Sequence, residues 1–315
     1  MSEAKKIATR EAYGQALAAL AGENENIVVL DADLSKSTKT ADFAQVAPQR
    51  FFNVGIAEQN MTGVAAGLAT AGKIPFISSF AVFAAGRAFE QIRNSVAYPC
   101  LNVKIAATHA GISVGEDGGS HQSVEDLALM RVLPNMTVIS PSDGPETEQA
   151  VRAAAQHVGP VYLRLGRLAV PVIHGENYQF KLGQGVLELP GRDIVIFATG
   201  MMVGYALEAA ALLAEEGISA AVANIHTIKP LDTDLVLEQA GLCGAALSVE
   251  EHSVIGGLGS AIAETLLEGG CFVPFKRVGI NDQFGQSGSP LALLKHYGLT
   301  AIPIATQAKA VLAKK

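Results

Sequence analysis

Two blocks of short β-branched apolar runs, each alternating with helix-period segments, constrain the fold of this chain more than any other feature. In the first block the runs fall at residues 27–30, 74–78, 103–107, 137–140 and 161–164, with helical patterns at 10–20, 57–70, 87–96, 124–130 and 145–156. In the second, runs at 194–198, 219–224, 245–250 and 272–278 alternate with helical patterns at 203–215, 232–239, 258–267 and 291–296. Near-continuous apolar strands separated by helices are the pattern of a parallel sheet covered on both faces. Residues 168–192 lose this rhythm and carry Pro171, Gly175, Gly183, Gly185, Pro190 and Gly191, the punctuation of a linker. The expected fold class is therefore α/β, with two domains, each a mostly parallel sheet covered by helices. The expected bounds are 1–170 and 191–315, joined by 171–190, and 315 residues suffice for two such cores.

Composition narrows the function classes. Apolar residues make up 49% of the chain and charged residues 17%, so much of the surface is expected to be covered by something other than water, as in an obligate oligomer. A net charge of −7 without any long Lys/Arg run lacks the electrostatic footprint of nucleic-acid binding. No apolar stretch reaches the roughly 18–20 residues of a membrane helix, and Met1-Ser2-Glu3-Ala4-Lys5-Lys6 does not lead into a signal-peptide core. The expectation is a soluble, cytoplasmic protein without a nucleic-acid or membrane partner. Cys100, Cys243 and Cys271 are far apart in apolar company and form no metal or disulfide spacing.

Two segments carry chemistry. Gly55-Ile56-Ala57-Glu58-Gln59-Asn60-Met61 sets a carboxylate at the mouth of an apolar, Ala/Gly-rich helix. A first-turn acid facing the helix dipole, worth about 1 kcal/mol at most, is the plain alternative to a functional role. Fifty residues on, the stretch from Ala107 to Ser123 packs His109, Glu116, Asp117 and His121 among Gly111, Gly115, Gly118 and Gly119. That spacing fits no ordinary zinc pattern, so no metal site is expected. The glycines suit a loop bending tightly past a ligand, with imidazoles and a carboxylate to move protons and hold hydroxyls; a polar surface loop is the alternative. Together the two segments look like the aminopyrimidine half of a thiamine diphosphate site. There a carboxylate in an apolar setting hydrogen-bonds N1′ of the ring, which makes Glu58 the candidate.

Three further features are open to two readings. Phe80 and Phe83 follow a strand end, where α/β sheets present binding loops, and offer a flat wall for an aminopyrimidine or a helix-face core pair. Arg164 and Arg167 close the last strand of the first block, suited to an anionic group or simply solvated; Arg10 and the segment Asp31 to Ser37 are similar. Gly256-Gly257-Leu258-Gly259 opens a helix after a strand, but Ile262 stands where a dinucleotide loop needs glycine, which favours close packing instead.

Over nearly its whole length the chain resembles the C-terminal half of transketolase, in Ala8-Thr9-Arg10, Ala32-Asp33-Leu34, Gly55 to Met61 and Val114 to Gln122. The resemblance implies that Glu58 binds N1′, Phe80 and Phe83 flank the pyrimidine, and Asp33 lies near the thiazolium. It also implies that His109 and Asp117 contact donor hydroxyls, His121 assists proton transfer, and Arg10, Ser37 and Arg167 hold a sugar phosphate. Arg164 is added from the related deoxyxylulose-phosphate synthases, which carry paired arginines at this strand. The sequence departs from the family at Thr108-His109-Ala110-Gly111, where transketolases have Thr-His-Asp-Ser. After Phe83 it is nearer the synthases and the β subunits of 2-oxo acid dehydrogenases.

Full-length transketolases also carry an upstream domain whose Gly-Asp-Gly and later asparagine bind Mg²⁺ and the diphosphate, and no Gly-Asp-Gly occurs here. The expectation is the C-terminal subunit of a split, thiamine-diphosphate-dependent transketolase acting on phosphorylated sugars. A separate N-terminal subunit would hold Mg²⁺ and the diphosphate, in an α2β2 assembly. A dehydrogenase β subunit, a synthase fragment and a non-catalytic paralogue are the alternatives.

Overall fold

The computed structural model describes residues 5–175 and 177–315 and places the two blocks in two sheets. The larger has the strand order Thr227–Lys229, Thr137–Ile139, Val161–Arg164, Lys104–Thr108, Ile74–Phe80, Ile27–Asp31, Phe51–Asn53. All neighbours run parallel except the first, a strand from the second half of the chain that closes the edge antiparallel to Thr137–Ile139. The smaller sheet has the order Phe275–Ile280, Ala246–Ser253, Ile194–Ala198, Ala220–Asn224, Val186–Leu189, with only the last strand antiparallel. A short antiparallel ribbon joins Lys6–Ala8 to Ala169–Pro171.

The buried central strands explain why their sequences do not alternate in polarity: both faces are covered. Successive residues simply feed different cores. Ile27, Val29, Phe76 and Leu163 pack with Tyr13, Leu17 and Val151 of the helices Thr9–Glu23 and Gly144–Gln156. Val28, Leu30, Ile77 and Tyr162 pack on the opposite face with Met61, Ala65 and Ile92.

Three features depart from the expected element map. The helix expected at 87–96 begins earlier and takes wide π turns at Val82–Arg87 and Ile92–Ala97, flanking a short α turn at Phe89–Gln91. Such turns recur at functional sites, and this one carries Phe83 and Arg87. A terminal helix, Ala301–Leu312, was hidden by Pro303, which a first helical turn tolerates. The strands Phe51–Asn53, Val186–Leu189 and Thr227–Lys229 are too short to show a period.

The segment between the blocks is pinned rather than loose. Asp143 caps the helix Gly144–Gln156, its Oδ1 accepting from Glu146 N at 3.0 Å, while its Oδ2 accepts from the backbone N–H groups of Ile173 and His174 at 2.7 and 2.8 Å. The His174 ring lies between carboxylates, with Nε2 2.9 Å from Glu188 Oε1 and Nδ1 3.1 Å from Asp143 Oδ1. Tyr178 and Asn224 both donate to Glu146 Oε1. Burial alone would lower the His174 pKa, but Asp143, Glu188 and Glu146 outweigh it and hold it up at about 10. A raised imidazole pKa contributes stability that is complete below the unfolded value, about 6.5, and is lost as pH rises through the folded one. The stability gap between wild type and His174→Gln, measured by urea denaturation, is expected to be widest below about pH 6.5. It should close as pH approaches about 10; a gap that widens over this range contradicts the assignment.

Candidate active site

The site forms where parallel strands end, the usual place for binding loops in an α/β sheet. Register sets Asp31 beside Ser78 and Phe80 beside Thr108, so the loops after three adjacent strands meet. Asp31 is buried and organises its own loop: it accepts from Leu34 N at 2.6 Å and from the hydroxyls of Thr38 and Thr40 at 2.6 and 2.9 Å. Burial pushes its carboxyl pKa up, and these three bonds counter the rise.

Glu58 is the first residue of the helix Glu58–Thr70, reached through a turn in which Gly55 takes a φ of 73°. Ala57 supplies no side-chain cap, and the acid of the first turn is Glu58 itself. The carboxylate is buried, with Oε1 accepting from Ser79 Oγ at 3.3 Å and Oε2 from Arg87 Nη1 at 2.7 Å.

Phe80 and Phe83 present nearly parallel rings, 13° apart in plane with centroids 6.1 Å apart. Phe80 is buried beneath His109, stacked at 3.8 Å, whereas Phe83 is partly open and meets the edge of His121 at 5.4 Å. His109 holds a left-handed backbone, φ 56°, fixed between Thr108 Oγ1 at 2.9 Å and Arg10 Nη1 at 3.3 Å. Burial, with Arg10, Arg167 and His121 nearby, lowers its pKa to about 3. The ring is therefore neutral at physiological pH and serves as a hydrogen-bonding group held by Arg10 and Thr108.

Most of the candidates converge. Arg10 bridges His109 and the carbonyl of Ser37, 2.9 Å away. Arg167 donates to Val114 O and lies 3.8 Å from both Glu116 and Asp117, which anchors it to the glycine-rich loop. Asp33 is exposed, in left-handed backbone at φ 65°, and accepts from Asn53 at 3.1 Å.

Arg164 serves another purpose. Its buried guanidinium donates to both oxygens of Asp126, at 2.8 and 3.2 Å, and to Glu251 O at 2.8 Å. Little of it remains to offer a phosphate.

Further contacts fix this loop, some from within it and some from the second domain. Glu251 Oε1 accepts from Ser113 N at 2.6 Å, and a Cβ on Gly111 would lie within 2.6 Å of that carboxylate. Gln122 Nε2 donates to Ile112 O, Gly115 O and Gln286 O at 3.2, 3.1 and 2.9 Å. His252 Nε2 accepts from Leu127 N, and Glu250 from Leu258 N and Gly259 N. The available signal was Glu250-Glu251-His252 itself, three polar residues ending an apolar parallel strand.

Two sheet domains in this order, the first with a helix led by a buried carboxylate, define a particular two-domain class. Residues 5–172 match the transketolase pyrimidine-binding domain and residues 183–304 the transketolase C-terminal domain. The chain belongs to the transketolase family. It is 52% identical over 298 residues to a transketolase C-terminal section from Methanocaldococcus jannaschii, covering 94% of this chain and 93% of that one. It is 46% identical over 306 residues to a 6-deoxy-6-sulfo-D-fructose transketolase subunit from a Clostridium species, covering 97% and 95%. A solved structure named as a split-gene transketolase, an inactive β4 tetramer, is similar with a TM-score of 0.91 and 58% identity, covering 98% of this chain and 99% of that chain.

Removing one member of a buried ion pair strands the other charge. Arg164→Ala is thus expected to lower folding stability by about 3–5 kcal/mol in chemical denaturation. A loss below about 1 kcal/mol, the range of exposed pairs, would contradict the buried-clamp role.

Proposed function

We propose that this chain is the C-terminal subunit of a split transketolase, moving a two-carbon ketol unit from a ketose phosphate to an aldose phosphate together with a separate N-terminal subunit. The observation that carries this reading is the buried Glu58 carboxylate set beside the paired rings of Phe80 and Phe83. In size and chemistry these groups fit the aminopyrimidine of thiamine diphosphate, offering a hydrogen-bond acceptor and an aromatic face. When bound, that cofactor supplies a nucleophilic carbon and an electron sink for breaking the bond next to a ketose carbonyl.

This chain's residues supply position and proton transfer. Glu58 would hold N1′ of the pyrimidine, and Phe83 and Phe80 would provide its aromatic wall. His121 accepts and returns hydroxyl protons of the sugar, while neutral His109 and Asp117 serve as hydroxyl partners. Arg10, the Ser37 region and Arg167 orient the phosphate, and Asp33 sits toward the thiazolium side. Arg164, already satisfied by Asp126, stands outside the phosphate set.

Support for a partner comes from the surface around Glu58. Ile56 is 76% exposed, Phe52 43% and Val64 40%, which leaves apolar area beside a buried charge. An N-terminal subunit bringing Mg²⁺ and the diphosphate site would cover it, in an α2β2 assembly. Similarity to a subunit acting on a sulfonated ketose makes such a sugar the second donor to try.

The test is transfer from xylulose 5-phosphate to ribose 5-phosphate by this chain with a candidate N-terminal subunit, Mg²⁺ and thiamine diphosphate. Glu58→Ala should lower kcat at least about 100-fold, the usual weight of a lost acid–base partner. Arg167→Ala should mainly raise KM for phosphorylated sugars. A Glu58→Ala enzyme within tenfold of wild type, or equal wild-type KM values for phosphorylated and free sugars, would overturn these assignments.

A further inference from the structure

Arg87 enters the half-site without a role in the reading above. It ends the π-helical stretch Val82–Arg87, and its Nη1 donates to Glu58 Oε2 at 2.7 Å. Its guanidinium carbon also lies over the Phe83 ring, 4.6 Å from the centroid. The arginine side chain is 46% exposed while the carboxylate it meets is 1% exposed.

Those two contacts are the ones assigned above to the aminopyrimidine. A guanidinium and an aminopyrimidine are both flat and nitrogen-rich, both stack on an aromatic face and both hydrogen-bond to a carboxylate. A carboxylate oxygen can accept two bonds, but one ring face holds one planar partner. Resting on the reading of this chain as a thiamine-diphosphate-binding subunit, we propose that Arg87 is a placeholder for the pyrimidine. In the cofactor-free protein it fills the ring's position and neutralises Glu58; on cofactor entry it swings toward solvent.

The physical balance favours this arrangement. An unpaired carboxylate at the burial of Glu58 is costly, so the empty site needs a cation. The arginine end of the pair is half in water, where holding a long side chain in one geometry gains little, so it gives way readily. Room exists for the movement, since the Arg87 side chain already borders solvent. The long bond from Ser79 stays with the other carboxylate oxygen and keeps Glu58 in place.

A residue that only supports structure would lose on every measure when replaced. A placeholder has opposite effects on the empty and filled states. Arg87→Met should lower the melting temperature of the cofactor-free chain, because Glu58 loses its partner. In the two-subunit assembly with Mg²⁺ it should tighten thiamine diphosphate binding, read as a calorimetric Kd, by about three- to tenfold, because the competent state no longer has to be cleared. Arg87→Lys keeps the charge without the planar fork and should shift Kd in the same direction by less. Equal or weaker binding by Arg87→Met and Arg87→Lys, with wild-type binding intact, overturns the placeholder role and leaves the subunit reading standing. Absence of binding by wild type and variants alike overturns the subunit reading and the placeholder with it.

Discussion

The buried pair between Arg164 and Asp126 is the contact on which the geometry of the site depends. Asp126 opens a helix of the first domain, and Arg164 ends a strand of the same domain. The third hydrogen bond of Arg164 reaches Glu251 O on a strand of the second domain. The Glu251 carboxylate then holds Ser113 N in the glycine-rich loop, three residues from Ala110 and one from Ile112, at the foot of the His109 backbone. Such a pair is costly to desolvate and tolerable only when every lone pair and proton is used. Tyr162 OH, donating to Asp126 Oδ2 at 2.8 Å, adds a further bond to the pair. One charged cluster thereby ties a strand of each sheet together and, through Glu251, holds the loop between His109 and His121.

Much of this architecture was readable beforehand, for identifiable reasons. Strands buried on both faces leave runs such as Ile27-Val28-Val29-Leu30 that no exposed element would carry, so the parallel order of elements follows from them. Glu58 was legible because a carboxylate at the head of an apolar helix is locally anomalous. Arg164 was not, since a strand-end arginine reads the same whether it faces a ligand or a buried acid 38 residues earlier. The partners of Glu58 escaped for the same reason: Arg87 lies 29 positions away and meets it only through tertiary packing and a π turn. Gln122 was visible as part of a motif, but its three carbonyl partners belong to a folded loop and to the second domain.

The first domain by itself brings a buried carboxylate and two aromatic rings together, and the second domain braces the loop beside them. Glu251 and His252 accept from backbone N–H groups of the first domain, while Glu250 accepts at the start of a helix of its own domain. Segment 285–290 continues the same task from the other side: a Cβ on Gly118 or Gly119 would collide with Ser287 or Gly285. The glycine-rich loop is thus held by packing too close for a side chain at these positions.

The apolar surface around Ile56 and Phe52 is open beside Glu58. The central claim, that this chain makes a thiamine diphosphate site only jointly with an N-terminal subunit, is tested most directly by calorimetric titration of the cofactor with Mg²⁺. The titration would compare this chain, its candidate partner and the mixture. The account predicts saturable binding in the mixture alone. Binding of the same affinity by the isolated chain, or none in the mixture, would contradict it.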